Sequence, residues 1–384
     1  MTGGGNRKVA AAYASGGAHP RKKSKQSSSL RLPLGAFRKL LGLLFLGFSA
    51  WFYHVIQPPP PKICGLPGGP PITAPRIKLS DGRHLAYKEH GVPKDKAKYK
   101  IVSVHGFDSC RHDTTAARAL SPVHFDGELI EGLGIYILSF DRPGYGESDP
   151  DPKRTVKSAA MDIEELADQL ALGSKFYVMG GSMGGIIVWS CLKYIPNRLA
   201  GAVLIAPVIN YWWPGLPANL SNEAFKWKPL QDQWALSVAH YTPWLTYWWN
   251  TQKWFPASSI ITHNPNILSP SDKNLILKLS FRRQYMAQIR QQGEYESLHQ
   301  DLNVGFSSWE FSPLDLKNPF PHNDGSIHIW QGDDDRVVSP KLQRCIAEKL
   351  PWIRYHEVPG AGHLFSYADN VYDSIITALL LEEK

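Results

Sequence analysis

The sequence predicts an α/β fold in which a mostly parallel sheet is covered by helices on both faces. Two observations carry this prediction: short apolar runs recur along the chain, and segments with helical spacing of apolar residues separate them. Buried parallel strands have this continuous apolar character because helices cover both faces of their sheet. The strand-like runs are KIVSVHG, GIYILSF, KFYVMG, AGAVLIAPV, SIHIWQG and RYHEV, and RIKLSDGRHLAYKEHG precedes them as two strands around an Asp-Gly turn.

The intervening helices are predicted from apolar residues at three- and four-residue steps. TVKSAAMDIEELADQLALG fits a helix that Thr155 caps and Gly173 stops. GGIIVWSCLKYI and PKLQRCIAEKL predict two further helices, and the second lies between the last two strands. LILKLSFRRQYMAQIRQQ predicts a helical segment with a basic face, which is usually solvated but also fits membrane headgroups.

The charge distribution indicates which classes of partner the protein can have. The 384 residues carry a formal charge of +8, with 43% apolar and 20% charged residues, a composition that supports a folded core. Nine Lys or Arg and no acidic residue lie in residues 1–39, and the remaining chain has 33 basic against 34 acidic residues. The basicity therefore belongs to the leader, and we expect no nucleic-acid partner.

The N-terminal region predicts a membrane anchor. Residues 1–39 are predicted to form a basic disordered leader. Residues 40–56 (LLGLLFLGFSAWFYHVI) have no formal charge. As a helix they would span roughly 25 Å, the short end of what crosses a bilayer. Residues 57–75, rich in Pro and Gly, then predict an extended linker. The alternatives are an organelle transit peptide and an interfacial helix lying on the membrane.

The charges that flank this span predict its orientation. The nine positive residues before it outnumber Lys62, Arg76 and Lys78 after it, which predicts a single-pass protein with a cytosolic N-terminus. The sequon at Asn219 is compatible with a body on the lumenal side. We expect the endoplasmic reticulum as the location, with the plastid as the alternative.

A single serine stands between glycines where a buried run turns into a helix. Gly180-x-Ser182-x-Gly184 follows KFYVMG directly, and such a strand–turn–helix lifts the serine above the carboxyl ends of the strands. A glycine-rich turn with an incidental serine is the alternative. The context favours Ser182 as a nucleophile, which needs a base to take its proton.

An acid and a histidine follow the serine in the order that this architecture uses. His363 lies in the glycine-rich stretch PGAGH about 28 residues after a cluster of acids, a gap that fits one helix and one strand. His356 lies inside that strand and His105 lies before the serine, so His363 is the predicted base. The pattern alone does not choose among the acids Asp333, Asp334 and Asp335.

From Arg76 to the C-terminus the chain resembles the α/β-hydrolase fold superfamily, in particular plant serine hydrolases with an N-terminal hydrophobic segment. The blocks VHGFDSCRHD, DRPGYGESDP, GGSMGG, GDDDRVV and PGAGH carry the resemblance, in this order. It implies that Asp335 is the acid and that the backbone amides of Phe107 and Met183 form an oxyanion hole. That family usually has Pro where Ser339 stands here.

The same resemblance implies a domain division. Residues 76–209 and 322–384 would form the catalytic domain, and residues 210–321 a helical cap inserted over the site. The cap is rich in Trp and Tyr, as in YWWPG and YTPWLTYWWNTQKWF. Most of these rings are expected to pack cap helices onto the body, and together they favour an apolar pocket for a hydrophobic or lipid-like substrate.

The predicted activity is that of a serine hydrolase. An ester, or else a thioester or amide, would be cleaved through an acyl-enzyme on Ser182, with no cofactor and no metal. An acyltransferase or a carbon–carbon hydrolase would use the same three residues, and a ligand receptor on the same fold would use none of them for catalysis. His105, Arg111, Asp113 and Asp141 are expected to fix loops.

Overall fold

The computed structural model describes residues 34–113 and 127–381. The chain divides into two compact units, one up to Tyr53 and one from His54 onward. Helix α1 (Leu34–Ile56) is the described part of the first unit and ends in the first residues of the second. It begins before the predicted anchor, so residues 34–39 of the predicted leader are helical, and residues 1–33 lie outside the described residues.

Helix α1 has the properties of a membrane span. From Gly35 to Ile56 it is long and apolar enough to cross a bilayer, judged by length and composition, and it is the one such helix among the described residues. A signal sequence near an N-terminus meets the same criteria.

Eight strands form one sheet in the second unit. They are β1 (Arg76–Lys78), β2 (His84–Gly91), β3 (Tyr99–Val104), β4 (Ile135–Phe140), β5 (Phe176–Gly181), β6 (Leu199–Ile205), β7 (Ile327–Gly332) and β8 (Arg354–Val358). Their order across the sheet is β1-β2-β4-β3-β5-β6-β7-β8. The pairs β1–β2 and β2–β4 are antiparallel, and all other pairs are parallel. The predicted fold class is confirmed.

Helices cover both faces of this sheet. The described helices of the second unit are α2 (Gly127–Leu133), α3 (Val156–Gln169), α4 (Met183–Tyr194), α5 (Ala218–Lys226), α6 (Leu230–Tyr241), α7 (Thr246–Thr251), α8 (Pro270–Lys278), α9 (Met286–Ile289), α10 (Gln300–Phe306), α11 (Pro340–Lys349) and α12 (Val371–Leu381), and five of them cover the sheet. Helices α3, α4 and α11 pack on one face, and α2 and α12 on the other. Side chains of β5 alternate between the two cores: Val178 lies in the first and Met179 in the second.

The stretch between β6 and β7 holds α5 to α10. The predicted cap, residues 210–321, falls within it, and its boundaries stay a prediction. A small core of this stretch joins α6 to α10 through Leu236, Ala239, Leu302 and Phe306. The insertion therefore has apolar packing of its own, next to the carboxyl ends of the strands.

The predicted basic helical segment around residues 275–292 is wrong as a single helix. Helix α8 ends at Lys278, a 3₁₀ segment spans Leu279–Gln284, and α9 begins at Met286. Two of its basic side chains are only partly exposed and form ion pairs: Arg282 pairs with Asp113 at 3.1 Å, and Arg290 with Asp108 at 2.7 Å. The helical pattern breaks where these residues bind the loop after β3.

Residues of the predicted linker are bound to the body. The amide of Lys62 donates to the carbonyl of Gln292 at 2.8 Å, and Cys64 is buried. The amide and hydroxyl of Thr73 both donate to the Glu147 carboxylate, at 2.7 and 2.6 Å. Pro and Gly content predicts an extended backbone but carries no information about these distant partners.

Candidate active site

Ser182 occupies a strained turn between β5 and α4. Its φ of 52° and ψ of −117° lie outside the regions that L-residues favour. Small neighbours are required because a Cβ at Gly180 would lie 2.4 Å from the carbonyl of Gly184, and one at Gly184 would lie 2.4 Å from the carbonyl of Val104. The strand–turn–helix predicted from the sequence is therefore present, with Ser182 at its apex.

The structure brings together the three side chains that the sequence singles out. His363 Nε2 lies 3.0 Å from Ser182 Oγ, and His363 Nδ1 lies 2.8 Å from Asp335 Oδ2. The side chain of His363 is 9% exposed and that of Asp335 is fully buried. With the proton on Nδ1, the ring donates to Asp335 and accepts from the Ser182 hydroxyl, an assignment that follows from the hydrogen-bond network.

Asp335 is held as a carboxylate in the turn after β7. Burial alone would raise its pKa, but His363, the Val338 amide and the Gln331 side chain outweigh burial and lower the pKa below its ordinary value. Its Oδ1 accepts from the amides of Val337 and Val338, both at 2.8 Å. Asp334 instead pairs with Arg336 at the surface.

Ser339, where the family usually has Pro, serves a local purpose. It is the N-cap of α11, its hydroxyl accepts from the Leu342 amide, and Pro340 takes the first helical position. The exchange moves proline one residue along without removing the start of the helix.

A second carboxylate binds the loop that carries His363, and sequence reasoning did not find it. Asp272, fully buried on α8, accepts from the backbone amides of His363 at 3.0 Å and Leu364 at 2.7 Å. Ser269 caps α8 and donates its hydroxyl to the same carboxylate at 2.9 Å. A Cβ at Gly362 would lie 2.1 Å from Asp272 Oδ2, so glycine is needed at this contact.

These two carboxylates set the protonation of His363. Burial lowers the pKa of the imidazole, but the charge and hydrogen bond of Asp335 and the charge of Asp272 outweigh burial and raise the pKa above its ordinary value. Lys228 opposes them weakly. The imidazole is thus a stronger base than an isolated histidine.

The predicted oxyanion residues flank Ser182. Phe107 and Met183 both line a cavity that contains Ser182, and neither backbone amide has a hydrogen-bond acceptor among the described residues. The residue after Phe107, Asp108, has a φ of 50° and is bound by Arg290 from the insertion. The insertion therefore holds both the Phe107 loop and the His363 loop.

The other polar residues of these loops are structural. His105 is buried, and burial together with Arg142 lowers its pKa well below its ordinary value, so the ring is neutral. Its Nε2 accepts from the Arg142 amide at 3.0 Å. Asp141 is fully buried and binds the guanidinium and amide of Arg111, which fits the predicted loop-fixing role.

Two cavities meet at Ser182. The larger, about 580 Å³, is lined by His363 and by apolar side chains that include Ile260 and Leu277. The smaller, about 90 Å³, is lined mainly by apolar residues, among them Leu236. A larger surface groove of about 940 Å³ lies along residues 61–76 and shares no lining residue with them, so it does not open onto Ser182.

Comparison with known proteins agrees with the fold. A family model described as the alpha/beta hydrolase family matches residues 101–373. A segment of 123 residues is 32% identical to the abhydrolase domain-containing protein abhd-5.2 of Caenorhabditis elegans. That match covers 30% of this chain and spans about a quarter, 24%, of the length of that relative.

Solved structures share the fold over most of the chain. A thermophilic esterase from Thermogutta terrifontis is 21% identical, with a TM-score of 0.51, and the match covers 79% of this chain and 97% of that one. An esterase from Exiguobacterium antarcticum is 14% identical, with a TM-score of 0.52, over 79% and 98% of the two chains. Since the family model spans most of the chain, this protein belongs to the alpha/beta hydrolase family.

Proposed function

We propose that the protein is a serine hydrolase that cleaves a carboxylic ester of a hydrophobic substrate through an acyl-enzyme on Ser182. The observation that carries the proposal is the continuous contact from Ser182 Oγ to His363 Nε2 at 3.0 Å and from His363 Nδ1 to Asp335 Oδ2 at 2.8 Å. A buried carboxylate that orients an imidazole, which in turn accepts a serine proton, is the arrangement that activates a hydroxyl for attack.

In the first half-reaction Ser182 Oγ attacks the ester carbonyl carbon and His363 Nε2 takes the hydroxyl proton. The carbonyl electron pair moves to its oxygen, and the free amides of Phe107 and Met183 stabilise the resulting charge. When this intermediate collapses, the bond to the alcohol oxygen breaks. His363 returns its proton to that oxygen, and the acyl group stays on Ser182.

In the second half-reaction His363 accepts a proton from water, whose oxygen attacks the acyl carbon. Collapse of this intermediate breaks the bond to Ser182 Oγ, which recovers the proton from His363, and the free acid leaves. Asp335 stabilises the imidazolium in both half-reactions without taking its proton. An alcohol in place of water would make the reaction an acyl transfer.

The cavity linings support a hydrophobic, lipid-like substrate. Apolar side chains line most of both cavities, and the larger one has room for an extended acyl or alcohol group. Lys228 and Arg336 are the cationic residues of the smaller cavity; the Lys228 ammonium is bound to the Val337 carbonyl, and Arg336 pairs with Asp334.

A fluorophosphonate probe tests the nucleophile. The wild-type protein should be labelled and should turn over p-nitrophenyl esters, and Ser182→Ala should lose both properties. Ser190→Ala is the matched control, since Ser190 lies fully buried on the same helix, away from His363. A wild-type protein that is neither labelled nor active would favour a ligand receptor instead.

We also propose that α1 anchors this hydrolase in a membrane, as a single span with the body in the lumen of the endoplasmic reticulum. The support is the length and apolar composition of Gly35–Ile56 and the excess of basic residues before it. The full-length protein should resist carbonate extraction, and a chain beginning at Lys62 should not. Release of the full-length protein by carbonate, or recovery in isolated plastids, would contradict this location.

A further inference from the structure

Seven large apolar side chains of the insertion lie at the surface of the second unit. Each is between 52% and 77% exposed, although residues of these types are normally buried when a core is available. We call this set the aromatic face; it comprises Trp227, Leu230, Trp234, Tyr241, Trp244, Trp254 and Phe255. Exposed apolar surface on this scale marks an interaction site.

Ring contacts link members of the aromatic face. Trp234 stacks on Trp249 at 6.0 Å between centroids, and Trp249 stacks on Phe255 at 5.4 Å. Trp248 continues the contact to Trp254 at 6.0 Å and also meets Trp249 at 6.5 Å. These rings form one contiguous aromatic cluster rather than scattered exposed residues.

Helix α6 connects the aromatic face to the active site. Leu230, Trp234 and Tyr241 recur at helical spacing on its exposed side. Its buried side carries Leu236, which lines the smaller cavity beside Ser182. One helix thus separates the cavity from the aromatic face.

The charge along residues 226–271 is one-sided. Residues 226–271 contain a single acidic residue, Asp232. It is buried and accepts from the hydroxyl of Ser258 and the amide of Ser259. The exposed Lys226 and Lys253 lie in the same stretch, so the charged groups that reach solvent there are cationic. Such a surface complements anionic headgroups.

The chain also keeps the body close to any membrane that holds α1. Five residues separate Ile56, the last residue of α1, from Lys62, whose amide is bound to the Gln292 carbonyl. Extended backbone of that length reaches about 20 Å. A membrane-embedded α1 therefore restricts Gln292 to a short distance from the bilayer.

We propose that the aromatic face docks on the surface of a lipid bilayer. Trp and Tyr suit this environment because they place an apolar ring among the acyl chains and a polar atom at the headgroups. Lys226 and Lys253 add attraction to anionic lipids. Docking through α6 positions the cavity beside the bilayer, from which a lipid ester can enter without crossing water.

The docking is tested on the full chain in nanodiscs of phosphatidylcholine, with and without phosphatidylserine. The four native cysteines are buried and unpaired, so a surface cysteine at Trp254→Cys can be labelled selectively with an environment-sensitive fluorophore. The control is Leu381→Cys, an exposed apolar position at the end of α12. Doxyl-labelled lipids should quench the probe at 254 several-fold more than the probe at 381.

Other outcomes overturn the proposal. Equal quenching at the two positions would mean that the aromatic face is not in the lipid. A blue shift in the emission of the probe at 254, without quenching by doxyl lipids and growing with protein concentration, would contradict lipid docking. It would mean that the aromatic face binds a second copy of the chain. Phosphatidylserine should increase quenching at 254, and Lys253→Glu, which replaces a cation by an anion, should abolish that increase.

Turnover of an embedded and of a soluble ester tests whether docking helps a lipid substrate to enter. This test rests on the proposed esterase activity. Trp254→Ser should lower turnover of a bilayer-embedded ester several-fold and leave a water-soluble p-nitrophenyl ester unaffected. Leu381→Ser should affect neither. Equal loss on both substrates would contradict docking, whereas a wild-type protein inactive on both would contradict the proposed function and leave the quenching result valid.

Discussion

Trp189 of the body and Trp254 of the insertion have opposite exposure to solvent. Trp189 on α4 is 1% exposed, and every residue of that helix from Met183 to Leu192 is buried. Trp254 in the insertion is 77% exposed. Helix α4 is apolar on all sides because the sheet and neighbouring helices surround it, whereas α6 has apolar residues on two separate sides. The comparison shows that apolar residues of α4 serve packing alone, whereas those of the insertion both pack its helices and form an exposed surface.

The largest expected effect is at the residues of the body that we propose as catalytic. His363→Ala should reduce kcat by about 10⁴-fold or more, because Ser182 then has no base. Asp335→Asn should produce a comparable loss through a misplaced tautomer. Ester turnover measures both. Circular dichroism of the variants should match the wild type, and a variant that retains full activity would remove that residue from the mechanism.

The pH dependence of the wild type follows from the same contacts. Catalysis requires neutral His363, whose pKa lies above 6.5, so kcat/KM should rise with pH through a midpoint above 6.5. Asp335→Asn removes a negative charge that favours the imidazolium and should move this midpoint to lower pH. A midpoint at or below 6.5 in the wild type would contradict the arrangement.

The next largest effect is expected on stability, from a substitution in the core of the body. Trp189→Ala removes a fully enclosed ring and leaves a cavity, which should lower the free energy of unfolding by about 3–5 kcal/mol. Denaturant unfolding of the full chain in detergent, followed by circular dichroism, measures this loss. A change below 1 kcal/mol would mean that α4 is not the packed centre of the body.

The sequence predicted what local patterns encode. The strands from β3 to β8, the capped helix after Thr155 and the glycine-flanked turn at Ser182 each depend on residues close together in the chain. His363 was found because it follows the last strand, and Asp335 only because a family resemblance chose among three neighbouring acids. The structure brings these two side chains into contact with each other and His363 into contact with Ser182.

Contacts between distant segments could not be predicted in this way. Asp272 and His363 are 91 residues apart, and Arg290 and Asp108 are 182 apart. No periodicity relates such positions, so the ties from the insertion to both active-site loops were missed. The break after Lys278 was missed for the same reason, since Arg282 and Arg290 bind partners on a remote loop.

Asp272 lies in the insertion but acts on His363 in the body. Asp272→Asn removes a charge that raises the pKa of His363 and presents an amide to backbone donors. We expect kcat to fall about 10-fold with KM unchanged, and the pH midpoint to move down. Asp369→Asn is the control, an exposed acid that pairs with Lys278 at 3.4 Å. A loss of stability with an unchanged pH profile would leave Asp272 a purely structural role.

The smallest expected effect is at the aromatic face. Trp254→Ala removes a ring that is mostly in water already, so the free energy of unfolding in detergent should change by no more than about 0.5 kcal/mol. The same denaturant measurement as for Trp189→Ala applies. A loss of several kcal/mol would show that Trp254 contributes to packing, and the contrast between body and insertion would fail. A negligible loss would agree with a side chain that contributes little to packing and is free to bind at the surface.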